Sequence, residues 1–461
     1  MHPPVLKEVR MALINAFSKP ASEMSTPAIL ILDVGKTNKK IILFNECYDL
    51  VHEEDTQLPE VKDDDGFPCE NAEALTTWVI DSVQRICATY RYGIRAINFT
   101  SYGASFVHLG TDLKPVTPLY NYLKPFPRYL HDQFYLAYGG ESSFAIETSS
   151  PVLGNLNSGL QLFRLKYDKP ELFKQIRYSL HLPQYLSFLI GGKLNTDITS
   201  VGCHTSLWDF KNSQYHSWVQ QEKISGLFSD IHPSDGPAGE YNNSVSKIPV
   251  GIGLHDSSAA LIPYLASFHE PFVLISTGTW CISLNPFNHL PLTKEELDQD
   301  CLCYLTYQGK PVKASRLFAG NTHEQQTRRL SDYFKTAINH YVDVKYDTQL
   351  LNRLKSENTA GAFEDRDLSS FQNYHEAYHQ LMIDIVRQQV QSTNLVMKGP
   401  SVHRIFIDGG FSKNSIYMHL LSGAFPGIKV IAASVPQATS LGAALSIHKY
   451  WNREKSLSLK F

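Results

Sequence analysis

Two carboxylates in this 461-residue chain stand where an apolar run meets a turn of small and hydroxyl-bearing residues, a placement that suits cation and phosphate chemistry. Asp33 closes the run Ile29-Leu30-Ile31-Leu32 and opens Asp33-Val34-Gly35-Lys36-Thr37-Asn38-Lys39-Lys40, after which Ile41-Ile42-Leu43-Phe44 follows. Burying a carboxylate there without a partner costs several kcal/mol, so a bound cation or hydrogen-bonding neighbours are expected. The plainer reading is an aspartate capping its own turn. Asp256 follows the glycine-rich run from Pro249 to Leu254 and precedes Ser257, Ser258, Ala259 and Ala260. That order reads as strand, tight loop and helix start, and a helix N-cap is again the plainer role for the aspartate.

Phe272 to Leu284 reads as a β-hairpin whose turn, Ser276-Thr277-Gly278-Thr279, can present backbone N–H groups to a phosphate. The segment from Ile29 to Phe44 has the same form, so each half of the chain carries one such hairpin. In the first, Gly35, Thr37 and Asn38 offer donors, and Lys36, Lys39 or Lys40 can neutralise phosphate charge. An ordinary hairpin tip remains the alternative for each. Later in the chain the strand Ile405-Phe406-Ile407-Asp408 runs into Gly409 and Gly410, where the backbone can approach a ligand closely. A helical pattern from about Ser415 to Phe425 follows, and then the small residues of Pro436 to Ala444, which suit close packing or a flat ring.

In this order the parts resemble the FGGY carbohydrate kinases of the actin-like ATPase superfamily, over roughly residues 27–445. The resemblance implies an α/β fold of two actin-like (ribonuclease H-like) domains around a central cleft for nucleotide and sugar. DVGKTNKK is similar to the first phosphate motif, STGTW to the second, GLHD to the catalytic loop, and IDGGFSKN with QATSLGAA to the adenosine motifs. By that resemblance Asp256 is the catalytic base, and Asp33 and Asp256 hold Mg²⁺ largely through water. Gly35, Lys36, Thr37, Asn38, Lys40, Thr277, Gly278 and Thr279 would bind the phosphates of ATP. Gly320, Gly409, Gly410, Phe411 and Asn414 would line the adenosine pocket, with Phe411 where a third glycine is usual, giving a bulkier or base-stacking wall. Lys40 stands where an arginine is frequent; lysine keeps the charge and loses the planar fork.

The sugar is expected at Ser101, Tyr102, Gly103 and Ala104, with Gln184, His255 and Asp256. For Gln184 an exposed polar residue at a helix start is the simpler reading. Thr100 to Val107 lacks the Gln-Met-His run of xylulose kinases, and the arginine-bearing loop of glycerol kinases has no clear counterpart. Local similarity is greatest to the kinases of L-rhamnulose and L-fuculose. Ser105 replaces their usual acidic residue, and the Leu123-Lys124 region lacks their Arg-Asp pair, so both bear on specificity. The implied reaction moves the γ-phosphate of ATP to a hydroxyl of a ketose, with a deoxy-ketohexose favoured. A pentulose (ribulose or xylulose) or another polyol is the alternative acceptor, and a non-catalytic sugar or nucleotide sensor is the alternative class. Both aspartates are retained, which favours the enzyme.

The elements that must position these residues follow from periodicity. Glu70 to Tyr90 has helical spacing, Ile94 to Phe99 reads as a strand, and His181 to Gly192 has proline near its start and glycine at its end. A long charged helical stretch is expected from Asn321 to about Asn352, and an amphipathic helix with a solvated charged face from Glu376 to Met397. We expect an N-terminal extension at 1–26, a sugar-binding domain at 27–247 and a nucleotide-binding domain at 248–461.

A hydrophobic content of 43% supports two or three sizeable cores, and a formal charge of -3 gives no positive field for nucleic acid or anionic membrane. No apolar run reaches the roughly eighteen residues of a membrane helix. The seven cysteines are odd in number and mostly isolated, which argues for a reducing, cytoplasmic setting. Cys301-Leu302-Cys303 has the wrong spacing for a zinc pair and reads as strand. Small molecules, a sugar and ATP, are the expected partners, and a homodimer is among the expected assemblies.

Overall fold

The computed structural model describes residues 26–454 except 90, 244–245, 358–360, 434 and 436, and also residue 459. The expected extension lies outside the described residues, apart from Thr26.

The first sheet is built on β1 (Thr26–Val34), buried from Ala28 to Leu32, as an apolar run flanked on both sides must be. It pairs antiparallel with β2 (Lys39–Asn45), which pairs with β3 (Leu50–Thr56), and parallel with β4 (Tyr92–Ser101). Beyond β4 lie β5 (Pro237–Asn242) and β6 (Lys247–Gly251), while the short β7 (Leu254–His255) also pairs with β4. Residues 248–255, expected to open the second domain, therefore complete the first sheet. The reason is hydrogen bonding: these apolar residues have β4 as their partner strand.

The second sheet repeats the plan. Its hairpin is β8 (Phe272–Thr277) with β9 (Cys281–Asn285), and β9 continues to β11 (Pro311–Leu317) and β10 (Cys301–Leu305). On the other side β8 pairs parallel with β12 (Arg404–Gly409), and β12 with β13 (Lys429–Ala432). Cys301 and Cys303 are buried strand residues, and all seven cysteines are free.

The helices that flank the two sheets form three layers, while those at Arg128–Ala137, Glu141–Glu147, Ser158–Asp168 and Ser217–Gln221 share a separate core. On the outer face of the first sheet lie α1 (Ala72–Ala88), capped by Asn71, and α2 (Leu182–Gly191), which stops at Gly192 with φ +71°. Between the sheets lie α3 (Asp256–Ser267) and α7 (Ala438–Ser446); their Leu261, Ile262 and Leu441 join one core with Ile29 and Ile31 of β1 and Leu274 of β8. Gly442 permits the close crossing: a Cβ there would stand 1.9 Å from Ala259 O. Outside the second sheet pack α4 (Ala319–Phe334), α5 (Tyr374–Val396) and α6 (Ser415–Ala424). Among the described residues no helix is long and apolar enough to cross a membrane.

Two helical expectations change. The stretch from Asn321 to Asn352 is broken after Phe334, where Lys335 turns left-handed (φ +55°); a short 3-10 turn at His340–Asp343 follows, and α-helix resumes at Thr348–Ser356. The charge of α5 is not a solvated face. Its Asp384 is buried and pairs with Arg366 at 2.7 Å, and its Glu376 with Arg353 at 2.6 Å, because the helix is covered by other segments as well as by the sheet.

Candidate active site

The carboxyl ends of parallel strands β1, β4 and β7 lie side by side and put Val34, Ser101 and His255 in adjacent register. This is where open α/β sheets place ligands. Asp256 follows at once as the first residue of α3, with His255 as the N-cap. Its Oδ1 accepts from Ser257 N at 2.5 Å and lies 3.1 Å from His255 Nε2, whereas Oδ2 has no hydrogen-bond partner among the described residues. The helix N-terminus favours the charge, and 37% side-chain exposure leaves it accessible to solvent. It is thus a helix-start residue with one oxygen held and one free.

His255 is buried, and burial pulls its pKa down against the opposing charge of Asp256. Its ring is stacked on Tyr304 of β10 (5.6 Å, 23°) and meets Cys203 Sγ at 3.0 Å, and its backbone N–H donates to Thr199 Oγ1 at 3.0 Å. A Cβ on Gly103 would stand 2.8 Å from Cys203 Sγ and 2.9 Å from His255 Nε2, so only glycine fits beneath the histidine.

Asp33, at the end of β1, receives Ser440 Oγ at 3.0 Å. Burial, and secondarily the charge of Asp256, raise its pKa to about 6 against the opposing pull of the Ser440 bond and Lys40. Two carboxylates that feel one another across a cleft are a fitting donor set for a hydrated divalent cation, which would relieve that repulsion.

The first turn is closed by Gly35 N to Asn38 O at 2.9 Å. Thr37 and Asn38 are exposed at its tip, where Asn38 Oδ1 accepts from Gln57 at 2.9 Å. Lys36 pairs with Glu60 at 2.9 Å, and Lys40 with Glu53 at 3.3 Å and Gln437 at 3.1 Å, so each must exchange a partner to meet a phosphate. Lys39 is buried on Glu70 at 2.8 Å and is unavailable.

In the second hairpin Gly278 and Thr279 are exposed, but Thr277 is not free. Its buried hydroxyl donates to Asp408 O at 2.6 Å and accepts from Phe411 N at 3.1 Å, tying β8 to the loop after β12. Gly409 (φ +89°) lies against it, with a Cβ position 1.9 Å from Thr277 O. Gly410 is exposed beside it. Phe411 neither widens the pocket wall nor awaits a base: it is 7% exposed and stacks on Tyr417 (4.7 Å, 9°), where apolar burial holds it. Asn414 caps α6 through Oδ1 to Tyr417 N at 3.0 Å and donates to Tyr378 at 2.7 Å, so its amide is also occupied. Gly320 touches the phosphate-type turn itself, its Cβ position being 1.8 Å from Gly278 O. The small residues of α7 serve helix packing and bring Ser440 to Asp33.

On the sugar side Ser101 is fully buried and donates to Tyr102 O at 3.2 Å, and Tyr102 donates to Glu70 Oε2 at 3.3 Å. Ala104 is left-handed (φ +59°), and its carbonyl accepts from Gln161 at 2.8 Å. Gln184 is not an exposed helix-start residue: it is 2% exposed and its Nε2 donates to Gly253 O at 2.8 Å, because α2 packs onto the loop before Asp256. Ser105 is buried, and Lys124 is buried on Asp63 and Asp65 (2.6 Å to the latter), while Leu123 points outward.

Sequence reasoning missed Asn98, the one polar side chain in the β4 run from Ala96 to Phe99. Its Oδ1 holds Gly253 N at 3.1 Å and its Nδ2 donates to Ala443 O at 2.7 Å, fixing the loop before Asp256 to α7. A lone amide among buried apolar residues was the available signal. Tyr304 and Cys203 were missed too, and only contact in space brings them to His255.

Two family profiles match nearly all of the described chain: "FGGY family of carbohydrate kinases, N-terminal domain" over residues 28–263 and "Carbohydrate kinase FGGY, C-terminal domain" over 269–455. The chain belongs to the FGGY family of carbohydrate kinases. Its fold is accordingly the two-domain actin-like α/β fold. A rhamnulokinase of Oceanobacillus iheyensis is 27% identical over 157 residues, a stretch that covers only 31% of this chain and 31% of that protein. Among solved structures, a carbohydrate kinase from Novosphingobium aromaticivorans superposes with a TM-score of 0.77 at 20% identity, covering 93% of each chain. A xylulose kinase from Lactobacillus acidophilus gives 0.74 at 16% identity, over 94% of this chain and 91% of that one. A Plasmodium falciparum glycerol kinase with ADP gives 0.72 at 17% identity, over 94% and 91%. These structural likenesses are likenesses of fold.

Proposed function

We propose that the chain transfers the γ-phosphate of ATP to a hydroxyl of a neutral ketose, with a deoxy-ketohexose such as L-rhamnulose or L-fuculose favoured. The observation that carries the reading is Asp256: one oxygen is held by Ser257 and His255, and the other has no partner among the described residues on a side chain that is 37% exposed. Its carboxylate takes the acceptor hydroxyl's proton as the new O–P bond forms and the bond from the γ-phosphorus to the ADP oxygen breaks. Gly278, Thr279 and the tip at Thr37–Asn38 would approach the phosphates from the two sheets, and Lys36 and Lys40 would supply positive charge. Gly409 and Gly410 would let the nucleotide lie close to the end of β12. Asp33 with Asp256 would hold Mg²⁺, which when bound neutralises phosphate charge. Closure of the cleft would keep water from the γ-phosphate.

The distant rhamnulokinase match and the aromatic-Gly run Tyr102-Gly103 support the choice of sugar. The free cysteines support a cytoplasmic setting. The test is ADP release with ATP and Mg²⁺ across L-rhamnulose, L-fuculose, L- and D-ribulose, D-xylulose and glycerol. A strong response to one ketose supports the reading; ATP binding with no response to any acceptor overturns it in favour of a sensor.

A further inference from the structure

The face of the second sheet that looks toward α3 carries Ile282 and Leu284 on β9, Leu302 and Tyr304 on β10, and Val312 and Ala314 on β11. Side chains two apart on a strand share a face. Arg316 therefore continues the line from Val312 and Ala314, directly opposite Ile282, and ends this apolar face with a charge. Its Nε lies 3.2 and 3.3 Å from the two oxygens of Asp300 and its Nη2 2.6 Å from Oδ1, while Nη1 has no partner among the described residues. The guanidinium carbon is 5.3 Å from the centre of the Trp280 ring, at the turn that carries Gly278 and Thr279. Asp300 holds a left-handed backbone (φ +62°), a conformation that costs an L residue about 1 kcal/mol and that aspartate tolerates better than most.

The pair ends the sheet face that also carries Tyr304. Tyr304, on the same sheet face, is stacked on His255, the neighbour of Asp256. The charge of Arg316 also bears on Cys203, His204 and Tyr304, the groups around that histidine. The first-domain wall offers aromatic rings and backbone in Tyr102, Gly103 and Tyr122, and its nearby lysine, Lys124, is locked on Asp63 and Asp65. A polyol needs donors and acceptors set side by side, which an arginine joined to a carboxylate provides without net charge.

We propose that Arg316 and Asp300 form the specificity pair that hydrogen-bonds neighbouring hydroxyls of an uncharged acceptor sugar, contributed by the second domain while Asp256 and Gly103 come from the first. This rests on the kinase reading. Because Asp300 already neutralises Arg316, the site takes neutral sugars in preference to sugar acids.

The test compares the wild type with Arg316→Gln, Arg316→Lys and Asp300→Asn, using the ketose panel and gluconate. Two readouts are taken: steady-state ADP release, and the sugar-induced rise in Tm of the nucleotide-free protein. Arg316→Gln should raise the KM for the preferred sugar about tenfold to a hundredfold with the KM for ATP unchanged, and should abolish the sugar-induced rise in Tm. Arg316→Lys, which keeps the charge and the fold, should fall between. Asp300→Asn should shift preference toward gluconate. An unchanged sugar KM with a uniformly lower kcat, or a raised KM for ATP, would assign the pair to the phosphates and overturn the proposal. If the wild type turns over no acceptor, the kinase reading fails by itself. The pair is then judged by Tm: a neutral sugar that stabilises the wild type and not Arg316→Gln supports it, and no stabilising sugar overturns it.

Discussion

Ser440 Oγ donates to Asp33 Oδ2 at 3.0 Å and so joins a helix near the end of the chain to the end of its first strand. The bond fixes one oxygen of Asp33 and leaves the half-buried carboxylate beside a second negative charge. Asn98 reinforces the same junction by joining the loop before Asp256 to α7. The two aspartates are thus held by one set of contacts between α3, α7 and the first sheet.

Asp33→Asn should stabilise the protein while disabling it. The folded-state pKa is raised from the ordinary 3.8 to about 6, so between those values the native state keeps a proton that the unfolded chain has lost. Stability from this group is therefore fullest below the window and falls as pH rises through it. Above about pH 6 asparagine removes that penalty, so the variant's Tm should exceed the wild type's near pH 8 and converge with it near pH 4. Mg²⁺ should raise the Tm of the wild type and not of the variant. Activity of the wild type should decline as pH drops below about 6, where Asp33 loses the charge that attracts a cation. A variant less stable than the wild type at pH 8 would show that Asp33 is a structural cap.

Asp256→Asn keeps the shape of the side chain and its bond from Ser257 N, and removes the proton acceptor. We expect kcat to fall by about 10²–10⁴, the usual worth of a positioned general base, with ATP affinity within about twofold of the wild type. Turnover by single-turnover quench and nucleotide affinity by calorimetry separate the two effects. Retained turnover would remove Asp256 from the chemistry.

Lys39 and Glu70 form an ion pair with both side chains under 5% exposed, and Tyr102 also bonds the carboxylate. Removing one partner leaves a buried charge unmatched. Lys39→Met alone should cost about 3–5 kcal/mol in urea unfolding, whereas Lys39→Met with Glu70→Gln should recover much of the loss. Additive losses would mean that the pair is not coupled. The sugar KM should change in both, because Glu70 orients Tyr102.

The hairpins, the strands at Ile94–Phe99 and Ile405–Asp408, and the strand–loop–helix around Asp256 were legible because their signals are local: apolar runs, glycines and turn residues in sequence order. What was illegible depends on partners distant in the chain. Lys39 looked like a phosphate cation until Glu70 was seen to bury it, and the tie of the Thr277 hydroxyl to Asp408 and Phe411 was invisible for the same reason. The sheet that residues 248–255 join was illegible because β4, the strand that bonds them, lies about 150 residues earlier. The charged stretch of α5 misled for the same reason, its countercharges Arg353 and Arg366 lying on other segments.

Gly320 carries the last prediction, since its contact with the second hairpin gives a substitution a defined target. A methyl group there would overlap Gly278 O at 1.8 Å, and the atom in the way is backbone, which cannot swing aside as a side chain would. The neighbouring bond from Asn321 N to Thr279 O, at 3.1 Å, ties the same turn to the start of α4, so the displacement falls on Gly278 and Thr279. Gly320→Ala should therefore raise the KM for ATP by about tenfold or more, the effect of moving phosphate donors by a fraction of an ångström to an ångström. The sugar KM should change less than the KM for ATP, because Asp256, His255 and Gly103 belong to the first sheet and its loops, and only Arg316, against Trp280, adjoins the displaced turn. Overpacking of this kind also costs about 1–3 kcal/mol, so Tm should fall by a few degrees. A loss of stability with no change in the KM for ATP would show that the turn between β8 and β9 does not hold the nucleotide.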